Sequence, residues 1–414
     1  MGTPDVTKWS SINIRPAFSQ ATETLTKADI LDDEDNFEEL YGEWNPKLYG
    51  AAMADDGRYF ALLVGGPRWD DPYTIILMRD VIGQTFSRSD VRRELRDIQV
   101  LPATDKDGAP SYVAISLNGD IYVVGPQGSE HSVIPGTRAE SEAAPDIEFN
   151  SILPFDNRWL VAGSDGFLKL GKDALWEEAA PPLKSEYPYR EPKWSILGVS
   201  GEGDIFVAAT QAADTRYFNL YPGHPLYRKD MTGDEVLALQ RKLSAERNAF
   251  PQLTTLFSGK PDAWKQHKLP QRIASAISDY PYVASFVSGV NGSDYVIGSD
   301  GLVMEGVPPR GLSEISSVPD REKNFFGGAF WQGNLVLIAD SEIFQFDGHL
   351  AKTFSPKVKI KLGSRRIQPS TIFARNEKLY VFDYGLRYFI FDGQEWVQRD
   401  IPADLSERPF KGSR

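Results

Sequence analysis

The sequence predicts an all-β protein built from seven similar units. The first observation is a repeated phrase, because the strand-and-turn segment IFQFDGHLAKTF, from Ile343 to Phe354, returns as YFIFDGQEWVQRD, from Tyr388 to Asp400. The second is that apolar and polar residues alternate along short segments, as in half-buried β-strands. The third is that Gly stands next to Asp or Asn between these segments, which is typical of tight hairpin turns. A unit of strand, turn and strand is therefore repeated several times along the chain.

Seven segments of this kind cover most of the chain, each with about four short strands. Small antiparallel sheets that recur every 40 to 50 residues or so are typical of propeller blades, which pack face to face around a central channel. The predicted fold is a seven-bladed β-propeller of four-stranded antiparallel blades, with a helical insertion in blade four. The units begin at Tyr49, Ile98, Phe149, Trp194, Tyr282, Phe325 and Ser370. Predicted turns include Asp56-Gly57, Asn118-Gly119, Asp165-Gly166, Asp300-Gly301, Asp347-Gly348 and Asp392-Gly393.

Residue size differs between the first and second strand of many units. Small residues suit the crowded channel wall, where the sheets converge, and large residues fill the wedge-shaped space between blades. The small groups are Gly50-Ala51-Ala52, Ala284-Ser285 and Gly327-Gly328-Ala329. The large residues are Phe60, Trp159, Phe206, Leu337 and Tyr380.

In strand pattern and period, residues 48–400 resemble the seven-bladed β-propeller superfamily, in the broad sense that includes kelch, WD-repeat and YVTN-type proteins. The resemblance implies the ring of blades. The sequence contains no Gly-His and Trp-Asp pair at fixed offset, no kelch double glycine followed by spaced Tyr and Trp, and no Asp-box. The resemblance therefore implies no particular activity.

Three segments depart from the repeat. An N-terminal extension, residues 1–47, contains the acidic run ADILDDEDNFEEL, and a polar tail, residues 401–414, follows the propeller domain of residues 48–400. The segment Lys8–Pro16 could add an outer strand or cover the seam where the ring closes, because first and last blades meet without a covalent link. The third segment is an insertion at about residues 211–250.

The insertion contains a helix signature. Thr232 and Glu235 have the spacing of a capping box, in which each side chain bonds a free backbone N–H of the other residue. Val236, Leu239 and Leu243 then recur at helical spacing. These residues predict a helix from about Gly233 to Asn248, either on a propeller face or beside its rim.

Composition restricts the partners. The chain of 414 residues has a net charge of -13, which repels nucleic-acid phosphates and anionic membranes and favours a partner with a basic surface. It contains no cysteine, a composition compatible with a reducing cytosol. The N-terminus shows no signal-like apolar run and no window is apolar enough for a membrane span. We therefore expect a cytoplasmic protein, monomeric by itself, that binds no nucleic acid and no membrane.

Motifs for catalysis are absent from the sequence. The histidines at positions 131, 224, 267 and 349 are scattered without metal-ligand spacing, so no metal site is predicted. Most turn aspartates are explained by their hydrogen bonds to nearby backbone amides. No phosphate loop, dinucleotide fingerprint or nucleophile elbow occurs in a suitable setting, and hence no cofactor is expected.

Two loops concentrate aromatic and arginine side chains, the residue types that dominate protein interfaces. One loop is Gly65–Tyr73 in the first unit, and the other is Thr215–Arg228 in the insertion. The candidate partner-binding residues are Arg68, Trp69, Asp70, Asp71, Tyr73, Arg216, Tyr217, Tyr221, Tyr227 and Arg228.

The leading interpretation is a non-enzymatic protein-binding propeller, in one version an immunity protein that binds and neutralises a toxin domain. Two alternatives stay open. One is a hydrolase or lyase with its site at the channel mouth, which needs several ionisable side chains to converge there. The other is a carbohydrate-binding propeller that uses exposed Trp and Tyr rings.

Overall fold

The structure is a computed structural model of the whole chain. It describes residues 46–65, 72–101, 108–221, 224–276, 282–289, 293–306, 311–315, 323–339, 342–346 and 368–406, and the backbone of residues 7–12 and 351–353. All statements below refer to these residues.

The chain forms seven antiparallel blades, and in each the strands follow one another from the channel outward. Blade 1 adds one N-terminal strand at its outer edge, β1 (Thr7–Ile12). Its other strands are β2 (Lys47–Met53), β3 (Tyr59–Gly65), β4 (Thr74–Asp80) and β5 (Thr85–Val91). Blade 2 contains β6 (Leu95–Val100), β7 (Tyr112–Ser116), β8 (Asp120–Gly125) and β9 (Gly128–Val133). Blade 3 contains β10 (Phe149–Phe155), β11 (Arg158–Gly163), β12 (Leu168–Lys172) and β13 (Leu175–Glu178).

Blade 4 carries the insertion and one extra short strand. Its strands are β14 (Lys193–Val199), β15 (Ile205–Gln211), β16 (Gln252–Lys260), β17 (Ala263–His267) and β18 (Ser275–Ala276). Blade 5 contains β19 (Val283–Ser288), β20 (Asp294–Gly298), β21 (Val303–Gly306) and β22 (Leu312–Glu314). Blade 6 contains β23 (Gly327–Trp331), β24 (Asn334–Ala339), β25 (Glu342–Phe346) and β26 (Ala351–Thr353). Blade 7 contains β27 (Pro369–Arg375), β28 (Lys378–Asp383), β29 (Arg387–Phe391) and β30 (Trp396–Asp400).

The described helices are few, and three of the four are single turns. They are α1 (Thr215–Phe218), α2 (Gly233–Asn248), α3 (Gln271–Ala274) and α4 (Ala403–Ser406). Only α2 is long, and it lies in the insertion as the sequence predicts. The helices α1 and α2 separate the second and third strands of blade 4, whereas α4 follows the last strand of blade 7.

Turn chemistry between the strands agrees with the prediction. Asp165 and Gly166 join β11 to β12 with φ of 50° and 76°, the left-handed backbone that a tight hairpin requires. Asp392-Gly393 joins β29 to β30, with Gly393 also at positive φ. Its counterpart Asp347-Gly348 joins β25 to β26, the equivalent pair in blade 6, and lies outside the described residues.

Both faces of each blade are apolar, and this is what holds the ring together. In β3, Leu62 and Val64 pack against blade 7, whereas the alternate residues Ala61 and Leu63 pack against blade 2. Because side chains of a strand point alternately to opposite faces, period-two alternation here serves two interfaces at once. The same arrangement gives a separate apolar cluster at each of the seven blade-to-blade interfaces. The first strands of successive blades contact each other around the ring.

The predicted size pattern is confirmed. The small groups lie in the first strands β2, β19 and β23, and the large residues lie in the second strands β3, β11, β15, β24 and β28. Phe60, Leu337 and Tyr380 are buried between blades.

The ring closes where blade 7 meets blade 1, which we call the seam. Phe60 of β3 lies edge-on to Phe382 and Tyr388, with ring centroids 5.2 and 5.4 Å away. Blade 7 takes all four strands from the C-terminal part of the chain. Of the two roles considered for the segment Lys8–Pro16, its described part takes the first, because β1 extends the sheet of blade 1 next to β5.

The residues after Asp400 also contribute to the seam. Ile401 and Leu405 are buried in the seam cluster, and Arg88 of β5 donates a hydrogen bond of 3.1 Å to the carbonyl of Leu405. The first six residues of the predicted polar tail, 401–406, are thus anchored to the seam by two apolar side chains, while Ala403 and Asp404 between them are exposed. The remainder of the tail lies outside the described residues.

We predict that Phe382→Ala lowers the free energy of unfolding by about 3–5 kcal/mol, because Phe382 is fully buried in the seam and its loss leaves a cavity. Chemical denaturation followed by circular dichroism measures the change. Ile82→Ala serves as the control, since Ile82 is 74% exposed, and is expected to change stability by less than about 0.5 kcal/mol. Equal effects of both substitutions would contradict closure through this cluster.

The insertion surface of blade 4 as a candidate binding site

One face of the disc gathers the loops of interest. In every blade the first strand starts, the second ends and the third starts at this same face, because consecutive strands are antiparallel. The insertion between β15 and β16 therefore emerges on the face that also carries the connections between blades. The predicted loop Gly65–Tyr73 joins β3 to β4, so its ends Gly65 and Thr74 lie at this face too.

The start of the insertion is fastened to the connection between blades 3 and 4. Ala213 pairs with Tyr189 as an isolated β-bridge, and the Asp214 amide donates to the Pro188 carbonyl at 2.8 Å. The buried Asp214 carboxylate accepts from the backbone amide and the guanidinium of Arg216, at 2.9 and 2.7 Å. Burial alone raises the pKa of Asp214, but these bonds and the charges of Arg216 and Arg190 lower it below its ordinary value. Connection and insertion thus form one joined structure.

Helix α2 anchors the rest of the insertion. Its capping box is formed as predicted, since the Thr232 hydroxyl accepts from the Glu235 amide and the Glu235 carboxylate accepts from the Thr232 amide. Leu243 is buried against Ala213 and Phe218 in a small apolar cluster of the insertion. The sequence stripe therefore points inward, and the opposite side of the helix faces solvent.

Two side chains hold the segment before the helix. Gln240 on α2 accepts a hydrogen bond from the Leu220 amide at 2.7 Å and donates one to the Phe218 carbonyl at 3.2 Å. The buried ring of His224 accepts from the Leu226 amide through Nδ1, which requires its proton on Nε2, and Nε2 then donates to the Tyr217 carbonyl at 3.2 Å. The backbone that carries the exposed side chains is therefore fixed from within.

Large apolar side chains are exposed here in a concentration that the rest of the described chain lacks. Of ten large hydrophobic residues that are exposed in the described chain, six belong to this connection and insertion. The rings of Tyr187 and Tyr217 meet edge-to-face with their centroids 4.9 Å apart, so the connection and the insertion are in contact here. We call the six residues the insertion surface: Tyr187, Tyr217, Tyr221, Leu226, Leu237 and Phe250.

The structure brings together some of the sequence-predicted site residues. Tyr217 and Tyr221 belong to the insertion surface, Arg216 and Arg228 are exposed close to it in the chain, and Tyr227 is partly buried. Tyr73 instead lies buried in the seam cluster, where burial and the Asp90 carboxylate raise its pKa, so its side chain is not offered to a partner. The other residues predicted in that loop, Arg68, Trp69, Asp70 and Asp71, lie outside the described residues.

Sequence reasoning missed four members of the insertion surface, Tyr187, Leu226, Leu237 and Phe250. A signal existed for one of them, because Tyr187 stands in the segment Tyr-Pro-Tyr, again aromatic residues around a proline. Leu237 stands one residue after Val236, the first residue of the predicted apolar stripe of α2. Whether Leu237 is exposed depends on which side of the helix packs against the propeller. Phe250 lies between the end of α2 and the start of β16 and is 37% exposed.

In the channel, one carboxylate stands out. Asp97 lies on the first strand of blade 2, next to a β-bulge, and accepts hydrogen bonds from the Ile98 amide at 2.8 Å and the Ile152 amide of blade 3 at 2.9 Å. Desolvation by its surroundings nevertheless raises the pKa of Asp97 to about 6. The Ser151 hydroxyl makes the corresponding link to blade 4, by accepting from the Ile196 amide at 3.0 Å. These contacts link successive blades around the channel.

Another charged network lies in blade 2. The buried carboxylate of Asp120 accepts from Ser116 at 2.8 Å, contacts His131 Nε2 at 3.0 Å and pairs with Arg93 at 3.2 Å. Burial alone raises the pKa of Asp120, but the bonds from His131 and Ser116 and the charge of Arg93 lower it. Ser116 bonds the carboxylate and not the imidazole, so the three residues do not form a nucleophile–base pair. The network holds the β7–β8 turn to its neighbours.

Within the described residues, no three His, Cys, Asp or Glu side chains are grouped closely enough to hold a metal ion. Their helices are also too short or too polar for any of them to cross a membrane.

Known proteins share little sequence with this chain. No protein-family model matches the chain, and none of the curated proteins matches its sequence. Among solved structures, YCF48 from Cyanidioschyzon merolae matches with a TM-score of 0.47 at 10% identity, over 83% of this chain and 94% of that one. Saccharomyces cerevisiae Sqt1 matches with a TM-score of 0.46 at 9% identity, over 86% and 85%. YCF48 bound to D1 peptide matches with a TM-score of 0.43 at 13% identity, over 77% and 83%.

The chain is a seven-bladed β-propeller. Its strands form seven antiparallel sheets, and the first strands of successive sheets contact each other around the ring. The similarity to the solved structures is low in both identity and TM-score, and says nothing about what this protein binds.

We predict that Asp97 destabilises the fold progressively as the pH rises from about 4 to about 6. The folded state holds the Asp97 proton more tightly than the unfolded chain does, so its contribution to stability is complete below pH 4 and lost as the carboxyl ionises. The measurement is the unfolding free energy of the wild type minus that of Asp97→Asn, obtained by urea denaturation at several pH values. The difference should fall through this range and then stay level; a difference independent of pH would contradict it.

Proposed function

We propose that the protein is a non-enzymatic binding module that recognises a protein partner through the insertion surface. The observation that carries the proposal is the concentration of exposed apolar side chains on one connection and one insertion of a single blade. Exposed apolar residues that occur singly need no explanation, but a cluster of them on one face is typical of an interaction site. Tyrosine rings in particular offer a large contact area at a small cost in side-chain entropy.

The way the surface is held supports the same conclusion. Asp214, His224 and Gln240 fix its backbone from within, and Tyr187 and Tyr217 restrain each other. A surface that is already ordered loses less conformational entropy when a partner binds, which strengthens association. The rigid blades beneath it provide the support that a loop of this length lacks by itself.

Charge suggests the nature of the partner. The whole chain carries a net charge of -13, which attracts a protein with a basic surface over long distances and accelerates their encounter. The insertion itself is nearly balanced, with six basic and five acidic side chains between residues 212 and 250. In this proposal the field of the whole molecule steers the partner, and the apolar surface of the insertion holds it.

A specific form of the proposal is an immunity protein of the cytoplasm that covers and neutralises a toxin domain. An acidic protein that binds by surface complementarity, without a catalytic motif, is suited to this role. Steric coverage requires a broad contact, and a standard interface of about 800 Å² per partner extends beyond the six residues of the insertion surface. The neighbouring connections on the same face would supply the rest.

The experiment is affinity capture from the native host with the wild-type chain and two pairs of variants. Tyr217→Ala and Leu226→Ser remove side chains of the insertion surface, at 44% and 52% exposure. Ile82→Ser and Leu175→Ser remove large apolar side chains that are still more exposed, at 74% and 82%, and lie elsewhere. We expect one partner to be captured by the wild type and both controls, and each insertion variant to retain about a tenth or less of it, the effect of losing an interface hot spot.

All four variants replace exposed side chains, so their thermal midpoints should remain close to that of the wild type. Capture that survives both insertion substitutions would reject this surface as the interface. If no protein is enriched by the wild type over a column without bait, the binding function itself is rejected. Growth of a susceptible strain with the co-expressed partner then tests the immunity form, since neutralisation must restore growth.

A further inference from the structure

The large apolar side chains that are exposed in the described chain are divided unequally between the two faces of the disc. Of the ten, only Ile82 and Leu175 lie on the face opposite the insertion, where a third strand turns into a fourth. The other eight belong to segments that emerge on the insertion's face: the six residues of the insertion surface and two tyrosines, Tyr49 and Tyr384. All five exposed tyrosines of the described chain are among these eight. One face of the disc is therefore much better suited than the other to contact a protein.

Tyr49 owes its exposure to a β-bulge near the start of β2. Leu48 and Gly50 pair with consecutive residues of β3, so Tyr49 between them has no strand partner. A bulge of this kind re-aims a side chain out of the regular alternation. The ring of Tyr49 lies against Gly65, where an added Cβ would come within 3.0 Å of the ring. Tyr49 is thus held in place on one side and 42% exposed on the other, beside the channel.

Tyr384 lies next to Tyr49 across the seam. It follows β28 of blade 7, is 40% exposed, and its carbonyl accepts a hydrogen bond of 3.3 Å from the Leu48 amide. Burial and the charge of Glu94 raise the pKa of Tyr49, Arg96 lowers it and the Tyr384 hydroxyl raises it, so the four side chains lie together. Glu94 and Arg96 form an ion pair of 2.7 Å. We call Tyr49, Tyr384, Glu94 and Arg96 the mouth surface.

The mouth surface and the insertion surface lie on opposite sides of the channel. The mouth surface is built on blades 7, 1 and 2, whereas the insertion surface belongs to blade 4 and the connection that leads to it. Counting the contacts between first strands, three interfaces separate blade 4 from blade 7 and three separate it from blade 1. Blade 4 therefore faces the seam across the ring, and a protein that contacts both surfaces must lie over the channel opening.

The size of a stable interface favours one partner on both surfaces. A standard interface buries about 800 Å² per partner, which corresponds to a patch about 30 Å across and roughly 20–30 residues. The insertion surface has six residues, so the contact has to extend over the same face. The mouth surface contains the remaining exposed large apolar side chains of that face in the described chain. Two adjacent tyrosines with an ion pair at their edge have the composition of an interface hot spot and its polar rim.

We infer that the mouth surface is a second contact site for the partner that covers the insertion surface. The partner is then a globular protein with a basic surface, large enough to span the disc face and cover the channel opening. This inference rests on the proposed function, since the partner is the one that the insertion surface recognises. Tyr49 and Tyr384 supply the apolar contact, and Glu94 and Arg96 supply polar groups around it.

The test uses the purified partner that the wild-type chain captures, and measures its dissociation constant by isothermal titration calorimetry. We expect Tyr384→Ala and Tyr49→Ala each to weaken binding about tenfold, the effect of losing one tyrosine of an interface. Tyr49→Phe keeps the ring and should bind within about threefold of the wild type. Leu175→Ala, on the opposite face and 82% exposed, is the control and should leave the affinity unchanged.

A double substitution distinguishes a direct contact from a general loss of structure. The mouth and insertion surfaces share no side chain, so their effects on binding should multiply, and Tyr384→Ala combined with Leu226→Ser should bind about a hundredfold more weakly than the wild type if each alone costs tenfold. Tyr384 is exposed, so the thermal midpoint of Tyr384→Ala should stay close to that of the wild type. A clear drop in that midpoint would assign a structural role to Tyr384 and overturn the inference.

Hydroxyl-radical footprinting of the complex gives a second readout that needs no variant. Tyr384 and Tyr217 should both be protected from oxidation by the bound partner, whereas Ile82 and Leu175 on the opposite face should be oxidised as in the free protein. Oxidation of Tyr384 that is unchanged by a saturating partner overturns the inference.

The outcomes separate this inference from the proposed function. A partner that is lost with Leu226→Ser but binds both mouth variants as tightly as the wild type keeps the proposed function and rejects the mouth surface. If no partner is captured, both fall together. Self-association of the wild type in sedimentation equilibrium that Tyr384→Ala abolishes would assign the mouth surface to a second copy of the chain, and overturns the inference as well.

Discussion

Closure of the ring is the interaction on which the rest of this structure depends. Six of the seven blade interfaces join blades that are consecutive in sequence, so connecting segments keep them near each other. The seam joins residues more than three hundred positions apart, as in the bond from Arg88 to the Leu405 carbonyl. Burial of apolar side chains is the main stabilising force there, and the ring of Phe60 packs edge-on against Phe382 and Tyr388. Without the seam, blade 1 and blade 7 would each expose an apolar face to water.

The closed ring has consequences for the site at blade 4. Each blade packs against a neighbouring blade on both faces. A long insertion can therefore emerge between two strands of one blade without loosening the sheet. The insertion has only a small cluster of its own, around Leu243 and Phe218, and depends on contacts such as Ala213 with Tyr189 for its position. Its exposed rings are therefore presented at a fixed place on the disc, which is what recognition by shape requires.

The channel and blade 2 illustrate how ionisable groups are used for support. Asp97 links blade 2 to blade 3 through the Ile152 amide, and Asp120 holds Arg93, Ser116 and His131 together. Their environments shift the two pKa values in opposite directions, Asp97 upward by desolvation and Asp120 downward by its donors. Asp97 is shifted where two blades meet, whereas Asp120 is shifted by donors of its own blade and of the connection that precedes it.

What the sequence determined by itself was local or periodic. The strand and turn pattern gave the number of blades, residue size gave the order of first and second strands, and Thr232 with Glu235 gave the start of α2 to the residue. These features are set by alternation, turn geometry and capping, which act over a few residues.

Only the tertiary structure decided which side chains are left uncovered. Tyr73 and Tyr217 look alike in sequence, each in a loop rich in aromatic residues, yet the first is buried in the seam and the second is exposed against Tyr187. Exposure depends on distant segments that arrive only when the ring has closed, and that is the physical reason why the fold could be predicted but the site only in part, through Tyr217 and Tyr221.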